Sequence, residues 1–362
     1  MRKLNLFLLF ITFMPFKNIL GHDREVGILK MAISNDRVAH SFLFVGPEGI
    51  GKRLTAVSVA KSLNCSASKD THTFNQAKEG FRDDFCGVCQ NCRDIDRSSY
   101  SDVFLVEPRE PESKGGEVDQ ISGTIKIDAV RNVQQRLSYR AARGGKKICI
   151  VDGAEKMNKE AQNAFLKTLE EPPSDSIIIL IVSDGATLLP TIISRCQRIN
   201  FSPLSQSVMV GIIREQLGVA EGAAKLLASL SGGSIGKALN WDMETMLEQR
   251  EKIVEALSWL SVDNPERLFK IAEEISKGER PVESLELLKM WYRDIAVLKE
   301  GREDMVINSD LLPVLKKHTQ GQTFPKLMSG FKMILNAQAD IMPPRYANKQ
   351  LTIENLLMQL AN

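Results

Sequence analysis

The chain has almost no net charge, no long apolar run and little histidine. Lys and Arg number 47 against 45 Asp and Glu, a formal net charge of +2. A balance this even gives no ground for predicting nucleic-acid binding from bulk electrostatics and leaves a local basic face to be sought. The N-terminal stretch MRKLNLFLLFITF holds about ten mostly apolar residues, where a membrane span needs roughly 20. No membrane partner is expected. The same stretch starts like a signal peptide, yet no small-x-small cleavage site follows. Residues 1–13 therefore read as a signal-like or misassigned extension, with Met14 as the alternative start. The four histidines, His22, His40, His72 and His318, are scattered without ligand spacing. Cysteine is sparse too, six in all, and three crowd into Cys86–Cys92. That clustering suits a metal better than a secreted disulfide framework. No repeat of fixed period is evident.

What is present is a packed core. Hydrophobic residues make up 43% of 362 and charged residues 25%, enough for roughly two or three domains. Phe42–Val45 is a short apolar run without polar alternation, as in a parallel strand covered on both faces. It leads into a glycine-rich turn and a helix from about Lys52, with Leu54, Val57, Ala60 and Leu63 at helical spacing. Residues 66–100 are polar and show no periodicity. DVFLVEP, KKICIVDGAE, SIIILIVSD and the end of TLLPTIISRCQRINF supply four more strands. IDAVRNVQQRLSY and NKEAQNAFLKTLEEPP supply helices, the latter capped by Asn158 and stopped by Pro172-Pro173. Residues 107–123 read as an exposed loop. Alternating strands and helices predict an α/β doubly wound domain. After Ser202–Ser205 the pattern becomes helical, in short helices to about 240 and longer ones from about Asn264.

The turn reads VGPEGIGKR, residues 45–53. Gly46, Gly51 and Lys52 satisfy the phosphate-loop pattern G-x-x-x-x-G-K-[ST], with Pro47 and Gly49 inside the loop. Glycines let backbone N–H groups approach phosphate, and the following helix adds its positive dipole end. The final hydroxyl, a Mg²⁺ ligand in the pattern, is replaced by Arg53, which cannot ligate a cation. Nucleotide binding can survive this change; metal-assisted hydrolysis should suffer. The strand end CIVDGAE offers Asp152 for Mg²⁺, but Gly153 follows where a water-orienting Glu is needed. Glu155 lies two residues on and points elsewhere if the strand continues; only a bent backbone would bring it back. Cys86-x2-Cys89-x2-Cys92, with Cys65 upstream, offers four thiolates for a structural Zn²⁺. Redox thiols are the rival reading, and a ferredoxin-type cluster lacks its C-x3-C-P continuation. Cys149 and Cys196 read as buried thiols in apolar strands. Residues 140–147, RAARGGKK, either face a DNA backbone or are solvated loop charge. On residues alone, Arg195 in TIISRCQRINF is equally a surface ion-pair residue.

Taken together, HSFLFVGPEGIGK, the four cysteines, NAFLKTLEEPP and ISRCQ make residues 15–204 resemble the AAA+ module of bacterial DNA polymerase III clamp-loader subunits. The resemblance implies a P-loop-type α/β domain over 14–204 with a zinc module at 65–92. A helical lid over 205–262 and a helical collar over 263–362 would follow. It implies that Ser194-Arg195-Cys196 is an arginine-finger motif, with Arg195 reaching a neighbour's ATP. Motor subunits of this family carry an Arg in the lid segment that here reads GSIGKAL; Gly236 takes its place, and Lys237 is turned about 100° away. Arg53, Gly153 and Gly236 thus depart from the motor pattern while Arg195 is kept. The resemblance implies a delta-prime-like member without intrinsic ATPase, within the DNA-directed DNA polymerase (nucleotidyltransferase) holoenzyme. Its partners would be the gamma/tau and delta subunits and, through them, the sliding clamp and primed DNA. ATP or ADP would remain as a ligand of the degenerate site formed by Gly46, Pro47, Gly49, Gly51, Lys52, Arg53 and Asp152. A phosphate loop needs cytosolic nucleotide, so the expected compartment is the cytoplasm. The rival readings are an ATP-hydrolysing gamma/tau-type motor and a free-standing zinc-stabilised nucleotide module.

Overall fold

The computed structural model describes residues 16, 19–67, 84–108, 123–258, 265–278, 281–342 and 345–361. The N-terminal extension, His72, most of the loop at 107–123 and the lid–collar boundary at 262/263 lie outside them. The chain forms two compact units, Met1–Val208 and Met209–Asn362.

The first unit begins with α1 (Asp23–Ser34) and β1 (Ser41–Val45), followed by α2 (Lys52–Asn64). Next come α3 (Gln90–Asp96), β2 (Val103–Val106), α4 (Ile127–Ser138) and β3 (Lys147–Asp152). The unit continues with α5 (Lys159–Glu170), β4 (Ser176–Val182), α6 (Pro190–Ile193) and β5 (Gln197–Asn200). All five strands are parallel, in the order β2-β3-β4-β1-β5. Successive side chains in a strand point to opposite faces, so an unbroken apolar strand needs cover on both. Leu43, Val45, Cys149, Val151, Ile178 and Leu180 pack on one face with Val130, Val133, Phe165 and Leu169 of α4 and α5. Phe42, Phe44, Ile148, Ile150, Ile177 and Ile179 pack on the other with Val26, Leu29, Ala56, Val59 and Ala60 of α1 and α2. This three-layer arrangement, a parallel sheet covered by helices on both faces, is the α/β domain that the sequence predicts. Asn158 caps α5 as expected, its side chain accepting from the Ala161 amide.

Two local expectations change. The stretch 66–100 contains a helix, α3, too short and polar to show a period. Cys196 is half-buried in the turn before β5 rather than within a strand, whereas Cys149 is fully buried in β3.

The second unit is helical among the described residues. It takes up most of α7 (Gln206–Leu217), which crosses the division between the units, then α8 (Glu221–Leu230), α9 (Ile235–Asn240) and α10 (Met243–Ser258). The later helices are α11 (Pro265–Lys277), α12 (Pro281–Lys299), α13 (Leu312–Thr319), α14 (Phe324–Ile341) and α15 (Lys349–Ala361). Helix α12 packs against α13 and α14, and α15 against α11 and α14. Their core gathers Trp291, Ile295, Val306, Leu315 and Leu327. Asp294 is fully buried and accepts from the Ile307 and Asn308 amides and from Asn308 Nδ2, which fixes the loop before α13. In α9, Ser234 caps the helix by accepting from the Lys237 amide, so Gly236 lies within the first turn.

Candidate functional site

The loop between β1 and α2 is set by its glycines. A Cβ on Gly46 would lie 2.3 Å from the Phe201 carbonyl oxygen, a clash with backbone that nothing but glycine avoids. Gly51 takes the left-handed conformation as the N-cap of α2. The His22 Nε2–H donates to the Ile50 carbonyl at 2.7 Å, and its ring stands edge-on to Phe201. Sequence reasoning assigned His22 no role; its place behind the loop comes from tertiary packing.

Lys52 is buried, and its ammonium curls back onto the loop, donating to the Gly46 carbonyl and to the Pro47 carbonyl at 2.6 Å. Burial lowers its pKa, against the opposing charges of Asp152, Glu155 and Glu48. Asp152 stands at the end of β3, as expected. Burial raises its pKa, and the Arg53 guanidinium opposes that rise. Arg53 Nη1 lies 3.6 Å from Asp152 Oδ2 and forms an ion pair with Glu107. Glu107, 54 residues away, carried no signal in the sequence. The Thr55 hydroxyl supplies no substitute for the missing one, because it donates to the Gly51 carbonyl at 3.0 Å. A Mg²⁺ ion does not fit this set: the hydroxyl ligand is missing, and a guanidinium engages the carboxylate that would hold the metal.

The strand does not continue past Asp152. Gly153 adopts φ +72°, and Ala154–Lys156 forms a 3₁₀ turn. Glu155 is thereby carried back toward the end of β4, where its Oε1 accepts from the Ser183 amide at 3.2 Å. Its Oε2 is buried without a hydrogen-bond partner. The expectation that Glu155 points away is therefore corrected; the bent backbone returns it to the neighbourhood of Lys52 and Asp152.

Arg195 lies apart from this loop, just after α6. Its guanidinium donates to the Thr191 carbonyl at 2.9 Å and pairs with Glu170, at the end of α5, at 2.6 Å. The side chain stays about one third exposed (35%). In the basic stretch, Arg143 pairs with Asp94 at 2.8 Å and Lys146 with Asp175 at 2.7 Å, while Lys147 donates to the Arg136 carbonyl. Three of its cations are thus engaged within the chain.

The four sequence-predicted cysteines converge. The Sγ atoms of Cys65, Cys86, Cys89 and Cys92 all lie within 4.8 Å of one another. Four sulfurs about 2.3 Å from one Zn²⁺ stand about 3.8 Å apart at the corners of a tetrahedron. Cys65 Sγ lies 3.6 Å from that of Cys86 and 3.8 Å from that of Cys89. The set fits zinc. The amides of Cys86 and Cys89 point at sulfurs of Cys65 and Cys86, the support a thiolate needs. Beside the cluster, Phe85 packs with Cys65 and Cys92, and the buried Lys61–Asp96 pair ties α2 to α3.

Residues 21–205 match the family described as "DNA polymerase III, delta subunit", and residues 244–362 match "DNA polymerase III, delta subunit, C terminal". The DNA polymerase III subunit delta' of Bacillus subtilis (strain 168) is 28% identical over 342 residues, which covers 93% of this chain and 95% of that protein. The delta' subunit of Pseudomonas aeruginosa is 29% identical over 330 residues, covering 90% and 92%. The tau subunit of B. subtilis is 27% identical over 344 residues, 88% of this chain but 55% of that longer protein.

Proposed function

This chain belongs to the DNA polymerase III delta-subunit family, and from that premise we propose that it is the delta-prime-type subunit of a clamp loader. The observation that carries this reading is the contrast between two arginines. Arg53 is held beside its own phosphate loop by Asp152 and Glu107. Arg195 stands at the surface on Glu170. The first opposes hydrolysis in this chain's own loop, because a guanidinium replaces the hydroxyl that would hold Mg²⁺. The second is placed to leave the surface and stabilise charge on a phosphoryl group bound by an adjacent gamma/tau-type subunit. Gly153, without a side chain to orient water, and Gly236, where motor members carry an Arg, point the same way.

The lid (205–262) and collar (263–362) would hold this chain in a hetero-oligomer with gamma/tau and delta subunits that loads the sliding clamp onto primed DNA. An exposed apolar stripe on α14, formed by Phe324, Met328 and Leu335, supports a collar, with Met342 exposed just past the helix end. Zinc on Cys65, Cys86, Cys89 and Cys92 would cross-link the end of α2 to α3 and take no part in the reaction. ATP or ADP would be held on Lys52 and the loop amides without being hydrolysed, and the compartment would be the cytoplasm.

The gamma/tau-type motor remains the second reading because Glu155 returns to the site. The deciding experiment is reconstitution of the loader with Arg195→Ala, read by clamp-stimulated ATP hydrolysis. A loss of at least tenfold at one site is expected, since fingers contribute about 10³–10⁵ in kcat in related systems. Unchanged turnover refutes the role in trans. Brisk Mg²⁺-dependent hydrolysis by the purified chain alone would favour the motor.

A further inference from the structure

We infer that the Arg53 guanidinium takes the place of the divalent cation in this phosphate loop, so that a nucleotide's diphosphate is bound without metal. The inference rests on reading Gly46–Lys52 as a nucleotide site and names how that site balances its charge. A loop of this kind ordinarily holds Mg²⁺ between the hydroxyl that follows its Lys and a carboxylate at a strand end. Here the residue after Lys52 is Arg53, and the strand-end carboxylate is Asp152. One nitrogen, Nη1, serves both Glu107 and Asp152. The fork of a guanidinium carries five N–H donors in a plane, so these contacts leave Nη2 and Nε to face a phosphate oxygen. The side chain is about half exposed (49%), open to a ligand arriving from solvent. A metal ion entering between Asp152 and the phosphates would have to displace this cation and then sit beside it. Like charges at that separation repel strongly at the edge of a protein core.

Charge also constrains the ligand. Lys52 and Arg53 bring two positive charges to a neighbourhood that holds Asp152, Glu155, Glu48 and Glu107. Lys52 with Mg²⁺ would bring three. The loop therefore suits the less charged polyphosphate, and ADP should bind at least as tightly as ATP.

The test is calorimetric titration of ADP into the zinc-loaded full chain, once in buffer without added divalent cation and once with millimolar Mg²⁺. Omitting the cation rather than adding a chelator spares the zinc. The wild-type Kd is expected to agree within twofold between the two conditions. Arg53→Thr, which restores the hydroxyl at an exposed position, should bind ADP at least tenfold more tightly with Mg²⁺ than without. If the wild type gains tenfold or more from Mg²⁺, the guanidinium assignment falls while the loop stands as a nucleotide site. If ADP binds under neither condition, the nucleotide reading of the loop falls and this inference with it. The wild-type comparison decides between these outcomes even if the variant fails to fold.

Discussion

Zinc affinity of the four-cysteine cluster should fall at least a hundredfold for each unit by which pH drops between 8 and 6. Zinc binds thiolates, so each thiol still protonated in the free protein must release its proton on binding. Burial pushes Cys86 above the ordinary thiol value. Hydrogen bonding to Cys65, with burial, pushes Cys92 far higher. Both stay protonated throughout this range, so at least two protons leave per zinc. Cys89 behaves differently: burial would raise it, but hydrogen bonds from Ser66 and from Cys92 hold it below the ordinary value. It therefore contributes least at the alkaline end. Two protons correspond to two decades in Kd per pH unit, about 2.7 kcal/mol. The sign follows from competition: protons displace metal, so acid weakens binding. The assay is competition with a chromophoric chelator at several pH values, with proton release measured by calorimetry in two buffers of different ionisation enthalpy. Metal analysis should give one zinc per chain. A slope of one decade or less per pH unit, or a folded chain that takes up no zinc, would refute the assignment of all four sulfurs as ligands.

Two further outcomes follow from the packing. Gly330→Ala should destabilise the helical unit, because the new Cβ would lie 2.5 Å from Tyr292 Cε1 and 3.2 Å from Leu360 Cδ2. Overpacking of roughly 1–3 kcal/mol exceeds the roughly 0.5–1 kcal/mol a helix gains from losing glycine. Urea unfolding followed by tryptophan fluorescence reports on this unit, because all three tryptophans lie in its part of the sequence; an unchanged midpoint would show that the Tyr292 ring yields without strain. Glu170→Gln should leave stability within about 1 kcal/mol, since the Arg195 pair is solvent-exposed. It should raise ATP turnover of the reconstituted loader by up to about fivefold, the equivalent of releasing such a pair; a fall in turnover would mean that Glu170 aims the arginine rather than restraining it.

The sheet was legible because its strands are continuous apolar runs, and runs such as Ser176–Val182 leave no doubt about burial on both faces. The cysteines were legible because C-x2-C spacing closes on one point. The buried face of α2 was not. Leu54, Val57 and Leu63 are only half-buried, while Thr55, Ser58, Lys61 and Asn64 are buried. Their polarity is absorbed locally: Thr55 and Ser58 donate to the Gly51 and Leu54 carbonyls, and Lys61 pairs with Asp96. A stripe drawn by hydrophobicity alone misses a face built this way. The acidic partners of the site were hidden for a different reason. Glu107, Glu155 and Glu170 occupy a loop, a turn and a helix end, where a carboxylate is usually solvated, and only tertiary structure brings each to its cation or amide.

The loop residues are kept for unequal reasons, and the difference bears on function. Gly46 would be required even if no phosphate ever entered, because the Phe201 carbonyl leaves no room for a side chain. Gly51 turns the chain into α2 and would persist on conformational grounds. Lys52 has no such excuse. A buried ammonium is disfavoured by desolvation, as its lowered pKa reflects, and an apolar side chain would fill the same space at less cost. The carbonyls of Gly46 and Pro47 accept two of its three N–H donors. The fold thus tolerates an expensive cation beside the loop, and an anion is what would recover that cost. Arg53, alongside, has found its anions in Glu107 and Asp152. A loop that had lost its ligand altogether would have no reason to keep the buried charge while giving up the hydroxyl next to it. A missing metal ligand beside a lysine free to meet phosphate is what the proposed site, binding a nucleotide without cleaving it, requires.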